Sequence, residues 1–77
     1  MKFALLIPAH NVEIRIGEVL KGAGKWMTDI LVVDDGSTDK TAETARGKGA
    51  RVLSGQTNRG KGHALKRGFE VLLKEGP

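Results

Sequence analysis

Two adjacent carboxylates, Asp34 and Asp35, are the residues of this sequence best placed to do chemistry. They follow the apolar residues 30–33, a β-favouring run that is typical of a strand buried on both faces of a parallel sheet. Gly36 then makes a turn, and the polar residues 37–39 can each cap a helix. Ligands of open α/β sheets bind outside the carboxyl ends of the strands, so this segment predicts a binding edge. An ordinary solvated turn is the alternative, but two neighbouring carboxylates repel each other and favour a functional interpretation.

Two other polar loops follow predicted strands, at residues 8–11 and 56–61, and should meet the carboxylates at the same edge of the sheet. A carboxylate there can accept the ring N–H of uracil or the N–H pair of guanine in a charge-assisted hydrogen bond. Arg59 and Lys61 lie at the start of a helix whose unpaired N–H groups also attract anions, which suits a diphosphate. A flexible helix start with a solvated Lys61 remains an equal alternative.

Length and composition narrow the class of protein. A chain of 77 residues forms one small domain, and because it has no cysteine no disulfide stabilises it. The apolar run at residues 3–7 is broken by Pro8, too short for a signal peptide or a membrane span, and is therefore expected to be a strand. These features predict a soluble, cytoplasmic chain without a membrane segment.

The net charge of +4 is unevenly distributed, because residues 40–77 carry nine basic and three acidic side chains. The three aromatic residues do not lie within basic clusters, so a specific nucleic-acid site is not expected. No P-loop, G-x-G-x-x-G motif, zinc-ligand spacing or nucleophile elbow can be recognised. A dinucleotide site, a zinc site and a serine nucleophile are therefore not expected from these patterns.

The apolar pattern alternates between strand and helix periods, which predicts an α/β fold. Strands are predicted at residues 3–7, 29–33 and 50–54, with Pro8 ending the first. Helices are predicted after an Asn11 N-cap, over about 39–46, and from about residue 60, the last with an inner stripe of Ala64, Leu65, Gly68, Phe69 and Leu72. The result is a Rossmann-like three-layer arrangement of three parallel strands in the order third-second-first, with helices on both faces. It leaves the first strand with an open edge.

Three segments, LIPAHN at 6–11, ILVVDDGSTDKT at 30–41 and NRGKGHAL at 58–65, resemble the opening of family-two glycosyltransferases of the GT-A fold. The similarity is closest to dolichyl- or polyprenyl-phosphate sugar transferases. It implies that residues 1–77 are a single N-terminal nucleotide-binding subdomain of a truncated GT-A fold. The family's Asp-x-Asp metal motif, catalytic base and acceptor site have no counterpart in the sequence. The resemblance therefore implies no catalytic residue, no metal ligand and no cofactor within this chain, and no sugar transfer by the chain alone. Mg²⁺ or Mn²⁺ is expected for a full-length relative.

The resemblance also implies a set of site residues. Pro8, His10 and Asp34 match positions that line the nucleobase pocket, Asp35 lies towards the ribose and diphosphate, and Lys61 lies near the phosphates. The family usually has tyrosine in place of His10, and an acidic pair is reduced here to Glu13. The expected nucleotide-binding set is Pro8, Ala9, His10, Asn11, Glu13, Asp34, Asp35, Gly36, Arg59 and Lys61.

Two functional hypotheses follow. The first is binding of the nucleotide part of a UDP- or GDP-sugar, as the N-terminal portion of a glycosyltransferase. The second is a non-catalytic assembly module that forms a dimer or larger homo-oligomer by pairing open first-strand edges. A phosphoacceptor receiver-like domain is disfavoured because Ser54 and Gly55 end the third strand, where a further aspartate would be needed.

Overall fold

Strands and helices alternate strictly along the chain in a computed structural model that describes residues 4–25 and 29–75. The elements are β1 (Leu5–Ala9), α1 (Glu13–Ala23), β2 (Ile30–Asp35), α2 (Thr41–Gly47), β3 (Arg51–Gly55) and α3 (Lys61–Glu75). Phe3, the first residue of the first predicted strand, lies outside the described residues.

The three strands form one parallel sheet in the order β1-β2-β3, which confirms the predicted fold class and strand order. β2 is central, and all six of its residues are buried, as its continuous apolar run requires. The register pairs Ala9 with Asp34 on one side and Asp35 with Gly55 on the other. The carboxyl ends of all three strands therefore lie along one edge of the sheet.

Helices cover both faces of the sheet because successive side chains of β2 point to opposite faces. Ile30 and Val32 pack in a cluster with side chains of α1 and α2, whereas Leu31 and Val33 pack against α3. Gly68 allows α3 to approach closely, since a Cβ there would lie 3.0 Å from Cγ2 of Val33. The odd-numbered residues of β2 therefore face α3, and the even-numbered residues face α1 and α2.

Three local predictions are corrected by the structure. Pro8 does not end the first strand but lies within β1, an edge strand in which a residue without an N–H is tolerated. Asn11 does not cap α1: Val12 occupies the N-cap position, and Asn11 has a left-handed φ of 50°. Phe69 is 57% exposed and is not part of the inner face of α3.

At the edge of the sheet opposite the strand-end loops, Arg51 joins three elements. Its guanidinium forms ion pairs with Asp29 at 3.1 Å and with Glu75, near the end of α3, at 2.6 Å. The hydrogen bond to Glu75, followed by the charge of Asp29, raises the pKa of Arg51 above its ordinary value. This surface network ties the amino end of β3 to the carboxyl end of α3.

None of the helices within residues 4–25 and 29–75 is both long enough and apolar enough to cross a membrane.

Candidate functional site

The loops that follow β1, β2 and β3 meet at the carboxyl edge of the sheet, as the sequence predicts, and enclose a cavity of about 330 Å³. We call it the strand-end cavity. Its lining residues come from the end of β1, the end of β2 and the first turn of α3 with the loop before it: Pro8, Ala9, His10, Asp35, Asn58, Gly60, Lys61 and Ala64. It combines an imidazole, a carboxylate and an ammonium group with an apolar wall.

Asp35 connects all three loops. Its Oδ1 accepts a hydrogen bond from the Arg59 backbone N–H at 2.9 Å, and its Oδ2 accepts one from Gly60 at 2.8 Å. Its backbone carbonyl accepts a hydrogen bond from Nδ1 of His10 at 2.8 Å. Because a carboxylate can accept about four hydrogen bonds, two acceptor positions remain for a ligand in the cavity.

The same contacts keep Asp35 ionised. The Arg59 N–H does most to lower the pKa of Asp35 below its ordinary value, and the Gly60 N–H and the nearby His10 and His63 rings act in the same direction. Burial raises the pKa of Asp35 but does not outweigh these contacts. At neutral pH the cavity therefore offers a negatively charged hydrogen-bond acceptor.

His10 is held as a wall of the cavity by two hydrogen bonds. Its Nδ1 must carry the proton, because the Asp35 carbonyl oxygen can only accept. Its Nε2 can then accept a hydrogen bond from Nδ2 of Asn11 at 3.3 Å. The ring is thus oriented by its partners and can offer a face on which a planar group stacks.

The two neighbouring carboxylates lie on opposite faces of β2. Asp35 lies on the α3 side of β2 and lines the strand-end cavity, whereas Asp34 lies on the α1 and α2 side and does not. Oδ1 of Asp34 accepts a hydrogen bond from the Ser37 N–H at 3.1 Å, which stabilises the turn after β2. The difference arises because the strand continues through both residues, and neighbours in a strand point to opposite faces.

Asn11 and Glu13 also lie outside the strand-end cavity and instead link the first two loops. The Asn11 N–H donates to Oγ of Ser37 at 2.9 Å, and Asn11 Oδ1 accepts from the Thr38 N–H at 2.8 Å. Oε1 of Glu13 accepts a hydrogen bond from the Lys40 N–H at 3.3 Å. These contacts hold the loop that carries His10 against the loop after Asp35.

Asp39 was not predicted as a site residue, yet its carboxylate accepts hydrogen bonds at the amino ends of two helices. Oδ1 accepts from the N–H and the hydroxyl of Thr41 in α2, and Oδ2 accepts from the Glu13 N–H at the start of α1. The Thr41 hydroxyl does most to lower the pKa of Asp39 below its ordinary value. Thr41 is fully buried, and its Oγ1 also accepts from the Val12 N–H at 3.0 Å. This network positions the two loops that flank the strand-end cavity.

Two further expected residues border the site without lining the cavity. Gly36 has a φ of 68°, and a Cβ there would lie 2.6 Å from the backbone nitrogen of Asn58, so only glycine lets the second and third loops touch. Arg59 donates its backbone N–H to Asp35 and lines a different cavity.

Three cavity residues were missed from the sequence: Asn58, Gly60 and Ala64. Ala64 follows Gly60 and Lys61 at the spacing of one helical turn, a signal that could have placed it on the same face of α3.

A metal site is not formed by the described residues. Within residues 4–25 and 29–75 no three His, Asp or Glu side chains cluster as metal ligands. Asp35 is the single carboxylate among the residues that line the strand-end cavity. The described donor set therefore does not fit a divalent cation by itself.

Known proteins match this chain over most of its length. The model of the family described as "Glycosyl transferase family 2" matches residues 4–73. The uncharacterized protein MJ1222 of Methanocaldococcus jannaschii is 45% identical over 74 residues, which cover 95% of this chain and 30% of that protein. A dolichyl-phosphate beta-glucosyltransferase of Dictyostelium discoideum is 34% identical over an alignment that covers 95% of this chain and 27% of that enzyme.

Solved structures show the same fold. Mannosyl-3-phosphoglycerate synthase from Rubrobacter xylanophilus superposes with a TM-score of 0.81 and 29% identity, covering 92% of this chain and 27% of that one. Glucosyl-3-phosphoglycerate synthase from Mycobacterium tuberculosis, in complex with UDP, gives a TM-score of 0.75 and 32% identity over 86% of this chain and 28% of that one. The same synthase has also been solved with Mn²⁺ and UDP-glucose. The chain thus spans less than a third of the length of the relatives it matches.

Proposed function

Since this chain belongs to glycosyl transferase family 2, we propose that its strand-end cavity binds the nucleotide part of a nucleotide-sugar donor, UDP or GDP in the first instance. The observation that carries the proposal is the position of Asp35, an ionised carboxylate at the end of the central strand, inside a cavity that also contains His10 and Lys61. The complexes of the mycobacterial synthase with UDP and UDP-glucose support the same class of ligand.

The nucleobase would be recognised by the inner part of the cavity. The two acceptor positions left on Asp35 match the ring N–H of uracil, or the neighbouring ring and amino N–H groups of guanine. Pro8 and the oriented ring of His10 provide surfaces against which a planar base can pack. Asp35 therefore replaces Asp34 as the residue we propose to read the base.

The anionic part of the ligand would lie towards Lys61 at the start of α3. The Lys61 side chain lines the cavity, and its ammonium group is a point charge suited to a diphosphate. The Asn58 amide lines the same wall and adds polar groups beside Lys61. We propose that this half of the cavity holds the phosphates.

The proposal concerns nucleotide binding by residues 4–75, and sugar transfer is not part of it. Among the relatives, structures with Mn²⁺ are known, but the described residues do not form a metal site here. Residues 1–77 are proposed to act as the nucleotide-binding subdomain of a family-two glycosyltransferase. The sugar and the acceptor are left out because no described residue selects them.

A titration of the ¹⁵N-labelled chain with UDP and with GDP tests the proposal. We expect saturable amide shifts for Ala9, His10, Gly60 and Lys61, and no comparable shifts near Arg51 at the opposite edge of the sheet. Shifts that are absent from the strand-end loops for both nucleotides would contradict the proposal.

Variants identify the groups responsible. Lys61→Gln should weaken binding about threefold to tenfold and leave the fold intact, because Lys61 is exposed. Lys40→Gln is a matched control, since Lys40 is also exposed and does not line the cavity. Equal loss of affinity in both variants would indicate charge attraction without a defined site.

Self-association through β1 is a second candidate function. Within the described sheet β1 pairs with β2 alone, so its other edge is open to a second chain. On the flank of α3 nearest β1, Leu65 and the 57%-exposed Phe69 follow Lys61 at four-residue spacing. Light scattering at several concentrations should then show a dimer that Phe69→Glu disrupts. Ile14→Glu, at an 81%-exposed position of α1, should leave the dimer intact. A constant monomer mass would exclude this candidate.

A further inference from the structure

A second cavity lies on the other side of Asp35, next to β3, and we infer that it binds a phosphate-group anion independently of the nucleotide. We call it the basic cavity. Its volume is about 350 Å³, and its lining residues come from the end of β3, the loop after it and one flank of α3: Asp35, Ser54, Gly55, Gln56, Thr57, Arg59, His63 and Arg67. Nothing in the proposed nucleotide site uses Arg59, His63 or Arg67 as side chains.

Arg67 lies against Gly55 at the end of β3. A Cβ on Gly55 would lie 3.1 Å from Nη1 of Arg67, so the guanidinium packs closely on the backbone of the strand. Arg67 is half-buried although the Arg67 side chain forms no hydrogen bond or ion pair within residues 4–25 and 29–75. Its planar donors are therefore available to an anion that enters the cavity.

The charge of the cavity is positive. Arg59 and Arg67 contribute two guanidinium groups and His63 an imidazole, whereas the opposing charge is the single carboxylate of Asp35. Both oxygens of Asp35 already accept backbone N–H groups from the third loop. The ion pairs of the described residues both belong to Arg51, so no carboxylate there neutralises Arg59 or Arg67.

The donor set matches a phosphate monoester or inorganic phosphate. Arginine binds phosphate oxygens with two parallel N–H donors, and two arginines from different segments can contact the same group from two directions. The hydroxyls of Ser54 and Thr57 and the amide of Gln56 add neutral donors around the rim. A carboxylate ligand would satisfy fewer of these donors because it has two acceptor oxygens, whereas a phosphate monoester has three terminal oxygens and inorganic phosphate has four.

The basic cavity and the strand-end cavity lie on opposite flanks of α3. Lys61 and Ala64 face β1, whereas His63 and Arg67, one helical turn apart, face β3. The Asp35 carboxylate forms the wall between the two cavities. A phosphate anion should therefore bind together with a nucleotide and should not be displaced by it.

Titration of the whole ¹⁵N-labelled chain with inorganic phosphate, at constant ionic strength maintained with chloride, tests the inference. We expect saturable shifts of Gly55, Thr57 and His63 with a dissociation constant of about 1 mM or tighter, and the same shifts in the presence of saturating UDP. Linear shifts without saturation would overturn the inference. Loss of the phosphate shifts on adding UDP would also overturn it, because the anion would then occupy the nucleotide's own phosphate position.

Variants separate a defined site from general charge attraction. Arg67→Gln should weaken phosphate binding about tenfold, and Arg67→Lys, which keeps the charge but not the planar donors, by a smaller factor. Lys66→Gln is the matched control, because it removes the same charge from the neighbouring, exposed position outside the cavity. Equal weakening by Arg67→Gln and Lys66→Gln would refute the site, and unchanged urea midpoints would show that all variants are folded. Nucleotide binding by Arg67→Gln should be unaltered, so this test and that of the nucleotide proposal can fail separately.

Discussion

The contact between Gly36 and the third loop makes replacement of this glycine the most informative perturbation of the fold. A Cβ at position 36 would overlap the backbone carbonyl carbon of Thr57 and lie 2.6 Å from the nitrogen of Asn58. Backbone atoms cannot rotate away as the end of a side chain can, so the whole loop must move. Because that loop carries Gly60 and leads into Lys61 at the start of α3, Gly36→Ala should disturb both stability and the strand-end cavity.

The magnitude has two parts. A non-glycine residue at φ of 68° costs roughly 1–2 kcal/mol, and forcing extra atoms into a packed region costs about 1–3 kcal/mol more. Gly36→Ala should therefore lower the free energy of unfolding by about 2–5 kcal/mol, a large part of the roughly 4–12 kcal/mol expected for a chain of 77 residues.

Gly49→Ala is the matched control for this substitution. Gly49 also has a positive φ, 89°, but a Cβ there would meet no heavy atom within 4 Å, and the residue lies at the amino end of β3, away from the strand-end cavity. It should incur the backbone part alone, about 1–2 kcal/mol, and leave nucleotide affinity unchanged. Replacing glycine by alanine lowers the conformational entropy of the unfolded chain by the same amount in both variants. This contribution therefore cancels when their free energies of unfolding are compared.

Urea unfolding followed by circular dichroism, together with a UDP titration of each variant, measures both effects. Gly36→Ala should be less stable than Gly49→Ala by about 1–3 kcal/mol and should bind UDP more weakly. If the two variants are equally destabilised, the second and third loops do not touch as described, and the account of how the strand-end cavity is held together is refuted.

Three further predictions concern the rest of the fold. Acid should destabilise the chain as the pH falls below 3.8, the ordinary pKa of Asp35 and Asp39. Both pKa values are lowered in the fold, so the unfolded chain binds more protons than the folded chain in this pH range. A pH series of urea midpoints should show a shallower decline for Asp39→Asn than for the original chain. Glu75→Gln should cost about 0.2–1 kcal/mol at low salt and nothing measurable in concentrated salt, because the ion pair with Arg51 is on the surface, and an effect independent of salt would contradict this. Val32→Ala should cost about 2–3 kcal/mol because the side chain is fully buried, whereas Val19→Ala, at a half-exposed position, should change thermal stability little, and equal costs would contradict the placement of the core.

The architecture could be predicted from the sequence because its main signals are local. The continuous apolar run of β2 and the alternation of strand and helix periods determine a parallel sheet with two covered faces, and the structure agrees in strand order and in layers. Convergence of the three polar loops follows from parallel strands alone. The family resemblance, confirmed by the match to residues 4–73, points to the same edge of the sheet.

The roles of Asp34 and Asp35 could not be separated in the same way. Which carboxylate faces the cavity depends on whether the strand ends before the pair or continues through it, and apolar residues mark only the first four positions of β2. β2 extends through both residues, and their carboxylates accept hydrogen bonds from backbone N–H groups of Ser37, Arg59 and Gly60. Those partners are up to 25 residues away in sequence, and no local pattern reveals them.

Other differences have the same origin. Asn11 is a competent helix cap in isolation, but its side chain finds a partner in Thr38, which belongs to another loop. Asp39 lies where a cap is expected, yet its second oxygen serves Glu13 in a different helix. Phe69 has helical spacing with buried residues, but its position on the flank of α3 depends on where the sheet ends. Tertiary contacts decide each of these positions.

Affinity for UDP in a pair of isosteric variants tests the central claim most directly. Asp35→Asn removes the negative charge of the carboxylate from the strand-end cavity and should weaken UDP binding about tenfold or more. The affinity is measured by calorimetry or amide shifts, at a temperature where unfolding controls show that the variant is folded. Asp34→Asn makes the same change one residue earlier, on the other face of β2, and should leave affinity within about twofold of the original chain. Loss of UDP binding in Asp34→Asn with retention in Asp35→Asn would contradict the assignment of Asp35 as the residue that reads the base.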